Sequence, residues 1–269
     1  MSTSTAQAET QAEIRKVARL LAVEPDHLSY LSTIPDSDLR DVRNRIARIL
    51  VESNRALIEQ FVTGSAIAPT SVMVRTFCWT NSPLFTGRVA GTIEIGKAVR
   101  LAAKLPPYFL AASTAHVPAD RFVSIIGSLP QQLIRLVAEE SARYGDWVTL
   151  ADLVSAIPEN LMQQIIADFG EDALVESTFL MAPDRRREVI HRTPLARMAE
   201  IIRFVARGGR WDQFCTMADC FTPEQRSAVV AAIDRVANDT DRERLSEVVR
   251  AQFSDRSILH FTKQEGRQP

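Results

Sequence analysis

The sequence has no long apolar run, few cysteines and no excess of basic residues. No apolar stretch approaches the roughly 18 residues that a membrane span needs, so we expect none. Its three cysteines, Cys78, Cys215 and Cys220, include no Cys-x-x-Cys pair, which favours a reducing cytoplasm. Lys and Arg total 32 against 33 Asp and Glu, and this balance argues against general nucleic-acid binding, because phosphate backbones attract a basic excess.

The sequence also lacks recognisable catalytic and ligand-binding motifs. The segments around Gly87–Gly91 and Gly208–Gly209 match neither a Walker loop nor a dinucleotide fingerprint, and we interpret them as helix stops or loops. The four histidines have no partner at metal-ligand spacing; they are His27, His116, His191 and His260. We therefore predict no metal ligand, no cofactor and no catalytic residue, and we expect a protein that is not an enzyme.

Almost every apolar stretch has helical spacing. Between residues 39 and 49, apolar residues recur every three or four positions with arginines between them, and residues 198–205 and 161–166 repeat this pattern. Only residues 71–78 and 91–95 could form strands, and both stretches are short. The sequence therefore predicts an all-α fold.

Many prolines follow a small or apolar residue and precede an amphipathic segment. Proline is tolerated in the first helical turn because that turn needs no N–H there, and nearby acids suit the positive end of the helix dipole. We predict that seven prolines mark helix starts: Pro35, Pro106, Pro118, Pro130, Pro158, Pro183 and Pro223.

A longer repetition is present in the second half of the chain. Gly145-Asp146-Trp147 and Gly209-Arg210-Trp211 each precede an apolar helix pattern and a Pro-Glu pair, with one extra residue before the second proline. Such self-similarity is typical of a helical solenoid, in which neighbouring repeats bury one another's apolar faces. The alternative is a compact irregular helical domain in which the two segments agree by chance.

A sequence pattern recurs along the chain: an apolar residue, a proline, a few polar residues and then a short amphipathic helix. This pattern resembles the N-terminal superhelical domain of MgtE-type magnesium transporters. The best matches are residues 150–166 (LADLVSAIPENLMQQII), 129–138 (LPQQLIRLVA) and 31–49. Residues 39–49 (LRDVRNRIARI) also resemble helical modules of the flagellar motor switch protein FliG. The resemblance implies a right-handed superhelix of short helices with proline corners. The chain has no counterpart of the transporter's CBS or transmembrane parts, so we expect no transport, and no acidic residue can be matched to a magnesium ligand.

The pattern along the chain predicts five segments. They are a disordered leader (residues 1–12), an N-terminal helical block (13–62), looser connecting helices rich in Gly, Pro, Ser and Thr (63–96), the helical repeat array (97–253) and a flexible tail (254–269). Tryptophans lie at positions 79, 147 and 211, with spacings of 68 and 64 residues. We expect each to pack its repeat on the previous one; an aromatic stripe for peptide binding is the alternative.

Two sets of polar residues are candidate functional sites. Arg185, Arg186, Arg187 and Arg192 form the densest basic patch, which could contact an acidic partner or could be an ordinary solvated helix face.

A groove between residues 77 and 122 could bind a small molecule or act as an active site, with Arg88, Lys97 and His116 as its polar candidates.

The main functional hypothesis is a non-catalytic, cytoplasmic helical-repeat protein that acts as a protein-interaction or regulatory module for an unidentified protein partner. The first alternative is a small-molecule binder or enzyme that uses the groove near residues 77–122. A further alternative, DNA binding by a superhelix through its arginine-rich helices, conflicts with the balanced charge. The sequence does not indicate an oligomeric state.

Overall fold

The computed structural model describes residues 3–21, 23–52, 55–65, 68–233 and 243. Within these residues it contains sixteen α-helices, two 3-10 helices and no strand, so the predicted all-α class is confirmed. The chain divides into two compact units, with the boundary between Ala182 and Pro183. No helix in the described ranges combines the length and the apolar character needed to cross a bilayer.

The first unit begins with two long helices joined by a 3-10 helix. They are α1 (Thr3–Leu21), the 3-10 helix (Pro25–Thr33) and α2 (Asp36–Glu52). These elements share a small core of their own, which contains Ile14, Val17, Ala18, Leu28 and Leu39.

The prediction of a disordered leader over residues 1–12 is wrong for its described part, residues 3–12. Ala8, Thr10 and Ala12 lie on α1 and are buried. Ala8 and Ala12 share one face of the helix and Thr10 lies on the opposite face, so α1 is covered on more than one side although its stretch of Ala, Thr and Gln looks polar in sequence.

Ten short helices complete the first unit, and four more with a second 3-10 helix form the described part of the second. In the first unit they are α3 (Arg55–Ser65), α4 (Thr70–Thr80), α5 (Pro83–Thr92), α6 (Ile95–Ala102), α7 (Pro107–Thr114), α8 (Ala119–Ser128), α9 (Gln131–Arg143), α10 (Trp147–Ala156), α11 (Glu159–Asp168) and α12 (Glu171–Leu180). In the second they are α13 (Pro183–Arg192), the 3-10 helix (Leu195–Arg197), α14 (Met198–Gly208), α15 (Trp211–Ala218) and α16 (Pro223–Ile233).

The short helices begin where the prolines predict. All seven prolines named above lie at the first residue of a helix or within the two residues before it. At α7, α8, α9 and α11 the proline before the helix has extended backbone angles, with φ between -56° and -60°. Proline holds φ in this range, so it fixes the corner between one helix and the next.

The short helices pack mainly on the second helix along the chain. In the first unit α3 packs on α5, α5 on α7 and α7 on α9, while α4 packs on α6, α6 on α8, α8 on α10 and α10 on α12. In the second unit α13 packs on α15, and α14 on α16. Each row of alternate helices therefore buries its apolar faces along the row.

The two Gly-x-Trp segments have the same local structure. Gly145 and Gly209 have φ of 66° and 61°, which is the left-handed region that favours glycine. The residues that follow, Asp146 and Arg210, have φ of -81° and -85° and precede a tryptophan that is the first residue of a helix. The sequence repetition therefore corresponds to a repeated backbone turn. Trp79 differs, since it lies at the end of α4 with 85% of its surface exposed and does not pack on a neighbouring helix as we expected.

The second unit contains a capping box at the start of α16. The Thr222 hydroxyl accepts a hydrogen bond from the backbone N–H of Gln225 at 3.2 Å, and the Gln225 side chain accepts one from the N–H of Thr222 at 3.1 Å. The Gln225 amide also donates to the carbonyls of Ile190 and Thr193, at 2.6 and 3.1 Å. This buried glutamine thus joins the end of α13 to the start of α16.

The observed boundary differs from the predicted segments. The described residues between 63 and 96 belong to α3, α4, α5 and α6 of the first unit and the turns between them, and the predicted array of residues 97–253 is divided at residue 182. The flexible tail predicted for residues 254–269, like most of residues 234–253, lies outside the described residues.

Candidate functional site

The predicted arginine patch on α13 is not an open basic surface. Arg186 is buried, with 3% of its surface exposed. The other three arginines pair with acids of the same helix: Arg185 with Glu188 at 2.5 Å, Arg192 with Glu188 at 3.6 Å, and Arg187 with Asp184 at 3.5 Å. Acids three and four residues from a base lie on the same helix face, so Asp184 and Glu188 offset part of the predicted positive charge.

Two of the three predicted groove residues lie in one polar cluster, and the third does not. Arg88 is on α5, and His116 is in the turn between α7 and α8. The charge of Arg88 acts on His116, as do the charges of Arg19 and Asp146. Lys97, on α6, is not among the groups that act on His116.

Glycines on α5 allow the His116 turn to approach. A Cβ atom at Gly87 would lie 2.9 Å from the Cβ of His116 and would clash with the carbonyl oxygen of Ser113. A Cβ at Gly91 would lie 2.8 Å from the Cγ of Pro118. The two glycines are four residues apart on α5, so both face the same segment. Their interpretation as helix stops or loops is wrong, because both lie within α5.

Arg19, Asp146 and Thr149 complete the cluster and join α1 to the start of α10. The Arg19 guanidinium binds both carboxylate oxygens of Asp146, with Nε donating to Oδ1 at 2.7 Å, and it also donates to the Thr149 hydroxyl at 2.8 Å. Asp146 caps α10 by accepting the backbone N–H of Thr149 at 3.2 Å and the Thr149 hydroxyl at 2.8 Å. One carboxylate thus holds the helix start and the arginine together.

The cluster has perturbed protonation equilibria. Burial, assisted by the positive charges of Arg19 and Arg88, lowers the pKa of His116 to about 4, although Asp146 opposes the shift. Burial would raise the pKa of Asp146, but the hydrogen bonds and charge of Arg19 together with the bonds from Thr149 outweigh burial, so this pKa is lowered. At neutral pH His116 is therefore neutral and Asp146 is ionised.

Arg88 is the least satisfied charge of this cluster. Only 8% of its surface is exposed, and its Nε has no hydrogen-bond acceptor among the described residues. Burial lowers the pKa of the guanidinium. Since no acidic side chain of the described chain pairs with Arg88, the protein buries a positive charge here without a direct counterion.

A small apolar cavity lies next to this cluster, where the sequence predicts a groove. Its volume is about 40 Å³, and it is lined from Phe77 on α4 to Leu129 after α8. Ser113 is one of its lining residues, and the Ser113 hydroxyl has no hydrogen-bond partner in the part of the chain that the structure describes. Arg88, Lys97 and His116 do not line the cavity, so the predicted polar residues and the cavity are separate features.

A second set of contacts connects α1 with α10 and α12. The Arg15 guanidinium pairs with Glu176 at 3.0 Å and lies over the ring of Phe179 at 5.2 Å from its centroid. Glu176 is buried on α12, and every residue of that helix from Ala173 to Leu180 is buried. Arg15 and Arg19 are four residues apart, so one side of α1 supplies both ion pairs.

Sequence reasoning missed Arg19, Asp146, Thr149, Arg15 and Glu176. Arg19 and Asp146 are separated by 127 positions, and Arg15 and Glu176 by 161. An Asp directly before a helix was a local signal for the cap of α10. No local signal identifies the arginine that binds this aspartate.

Among the described residues, no group of three or more His, Cys, Asp or Glu side chains could hold a metal ion. The cluster is therefore characterised by arginine and histidine donors around one carboxylate. Comparison of the chain with protein-family models, with curated proteins and with solved structures finds no match.

Proposed function

We propose that this chain is a non-catalytic helical-repeat protein that acts in the cytoplasm as a protein-interaction or regulatory module. In this proposal its short helices stack into a right-handed superhelix similar to the N-terminal domain of MgtE-type transporters, and one face of the stack binds an amphipathic helix of a partner protein. The packing of alternate helices supports the stack, because each row grows by adding one helix at its end. Cys78, Cys215 and Cys220 form no disulfide with one another, which supports a reducing location.

The observation that carries the proposal is the position of α1. This helix comes from a different part of the sequence and lies on α10 and α12 of the first unit. Its contacts include an Arg15–Glu176 ion pair, a two-pronged Arg19–Asp146 contact and the stacking of Arg15 on Phe179. The face formed by α10 and α12 therefore already holds a helix in this chain.

The chemistry of this face specifies the partner. Glu176 is buried, so its carboxylate favours a fixed cation over water. Asp146 at the start of α10 binds a guanidinium in two-pronged geometry, which arginine provides and lysine does not. A partner helix would thus carry two arginines four residues apart and would compete with α1 for the same carboxylates.

A peptide-binding experiment tests this proposal. A fluorescent peptide with the sequence of residues 3–21 is titrated against the intact chain, the double variant Arg15→Glu/Arg19→Glu and the control Arg187→Glu/Arg203→Glu. We expect the first double variant to bind the peptide at least tenfold more tightly than the wild type or the control, because charge repulsion weakens its own α1 on the face.

Two further measurements test whether the peptide binds through Glu176 and whether the variants remain folded. Adding Glu176→Gln to the first double variant should weaken peptide binding, since the buried carboxylate is lost. Circular dichroism should show that all variants keep their short helices. Equal peptide binding by the wild type, the double variant and the control, or no binding by any of them, would contradict a helix-binding face on α10 and α12.

A further inference from the structure

We propose that Arg88, together with Arg19 and His116, forms a binding site for a small oxyanion, either inorganic phosphate or a carboxylate. This inference goes beyond the helix-binding face, because it depends mainly on α5 and on the turn after α7 and shares only Arg19 with that face. The proposal starts from the burial of Arg88. Its exposed fraction is 8%, and its Nε faces no acceptor in the described part of the chain.

A buried guanidinium without a counterion destabilises a fold. Removing the charge from water costs free energy that only hydrogen bonds or an opposite charge recover. An unpaired arginine is suited to bind an oxyanion. Its five N–H donors form a planar fork that fits the oxygens of phosphate or carboxylate. Arg88 has this form and has no ion pair among the described residues.

The surroundings of His116 carry one excess positive charge, that of Arg88. The charged groups that act on His116 are Arg19 from α1, Arg88 from α5 and Asp146 from α10, so two positive charges and one negative charge face this histidine. Asp146 is already engaged by Arg19 and Thr149, and it therefore neutralises Arg19 rather than Arg88. The local excess of one positive charge favours an anion.

His116 adds a donor and a means of detection. Its neutral imidazole carries one N–H, which can donate to an oxyanion next to Arg88. An anion there would also offset the positive charges that now oppose imidazole protonation. Binding of the anion should therefore raise the pKa of His116 from about 4.

Gly87 makes room for the His116 turn next to α5. Because it lacks a Cβ, the His116 turn can lie against α5, one residue from Arg88. The close approach brings the His116 turn against the helix that carries Arg88. The same approach leaves no space for an acidic side chain at position 87.

Calorimetric titration tests the proposal. Inorganic phosphate and acetate are titrated into the intact chain, with sodium chloride at the same ionic strength as the reference. The variant Arg88→Met keeps the length of the side chain and removes its charge, and Arg187→Met changes an exposed arginine as the matched control. We expect phosphate or acetate to bind the wild type and the control, and to bind Arg88→Met at least tenfold more weakly.

Urea denaturation of Arg88→Met without added anion separates the binding role from a structural role, because the loss of a structural contact would lower the urea midpoint. If Arg88 is an unpaired cation, the Arg88→Met protein without added anion should have an unchanged or higher urea midpoint, because an apolar side chain suits the buried position better. The proposal is overturned if neither anion binds the wild type, or if Arg88→Met binds it as tightly as the wild type does.

A second measurement does not depend on the folding of any Arg88 variant. The His116 imidazole protons are followed by NMR from pH 3.5 to 8 in the wild type, and His116→Gln identifies their signal. Phosphate or acetate that binds here should raise the pKa of His116 by at least one unit relative to chloride. An unchanged His116 titration in the presence of both anions would also overturn the site, and a response to only one of them identifies which oxyanion it prefers.

Discussion

His116 makes the stability of the protein depend on pH at the scale of one residue. In the unfolded chain its pKa is about 6.5, whereas in the folded chain it is about 4. Between these values the unfolded state binds more protons, so the free energy of unfolding decreases as the pH falls from 7 towards 4. This residue alone should remove about 2 kcal/mol between pH 7 and pH 5.

Urea denaturation at the two pH values checks this expectation. The variant His116→Gln should lose less stability between pH 7 and pH 5 than the wild type, by about 2 kcal/mol. His191→Gln is the matched control, because it makes the same substitution at a histidine that is exposed in the last turn of α13. If the free energy of unfolding fell equally between pH 7 and pH 5 in the wild type and in His116→Gln, the imidazole would not be held neutral in the folded chain.

Only part of this residue cluster could be predicted from the sequence. Arg88 and His116 were candidates because both are polar residues near glycines and prolines, and the structure brings them together. Lys97 was a candidate for the same reason, but its charge is not among those that act on His116, since sequence position does not fix which side of α6 faces the site. Arg19 and Asp146 meet across 127 positions, a pairing that only the packing of α1 determines.

At the scale of helices, the contact between α5 and the turn after α7 depends on a missing Cβ. Gly87→Ala places a methyl group against the Ser113 carbonyl and the His116 backbone, neither of which can move without shifting a helix. We expect this change to lower the free energy of unfolding by about 2 kcal/mol or more. Gly127→Ala on α8 is the matched control, because nothing lies within 4 Å of its Cβ position, and it should raise stability by about 0.5 to 1 kcal/mol.

Urea or thermal unfolding of both variants gives the comparison. A stabilising effect of Gly87→Ala similar to that of Gly127→Ala would mean that α5 does not approach the His116 turn as closely as described. Both changes replace a helical glycine by the same residue, so helix propensity cancels between them. The difference therefore measures the contact alone.

Helix starts were predictable because they are local, whereas helix contacts were not. A proline fixes its own φ and cannot donate an N–H, so its effect on the chain is present in any context. All seven predicted starts are found for this reason. The effect of Gly87 and Gly91 is not local. Their spacing of four residues on α5 permits a close neighbour, but the sequence does not identify the segment that packs there.

At the scale of the whole molecule, the division after Ala182 predicts that the two units lose structure separately. Ile202 is fully buried in α14 of the second unit, and Ile202→Ala should cost about 2 to 5 kcal/mol there. Hydrogen exchange followed by mass spectrometry should show faster exchange in residues 183–233 and little change in residues 147–180. Leu150→Ala, in the first unit, should give the reverse pattern.

Faster exchange in both units after either substitution would show that the chain unfolds as one cooperative body. The boundary itself could not be predicted from composition. Residues 63–96 are richer in Gly, Pro, Ser and Thr than residues 180–186, yet the helices of the first stretch all belong to one unit and the second stretch contains the division. The glycines of residues 63–96 allow close helix packing, whereas the boundary at Ala182 and Pro183 lies in a stretch that contains no glycine.

The ion pair between Arg15 and Glu176 joins the first helix of the first unit to its last. An open row of helices can gain or lose a pair during evolution, because every addition simply lengthens it. Here an inserted pair would move Glu176 by about the 10 Å that separates packed helices, beyond the reach of Arg15. The contacts of α1 therefore fix the spacing of α10 and α12, and a chain with a helix pair inserted between those two would need a new partner for Arg15 or Glu176.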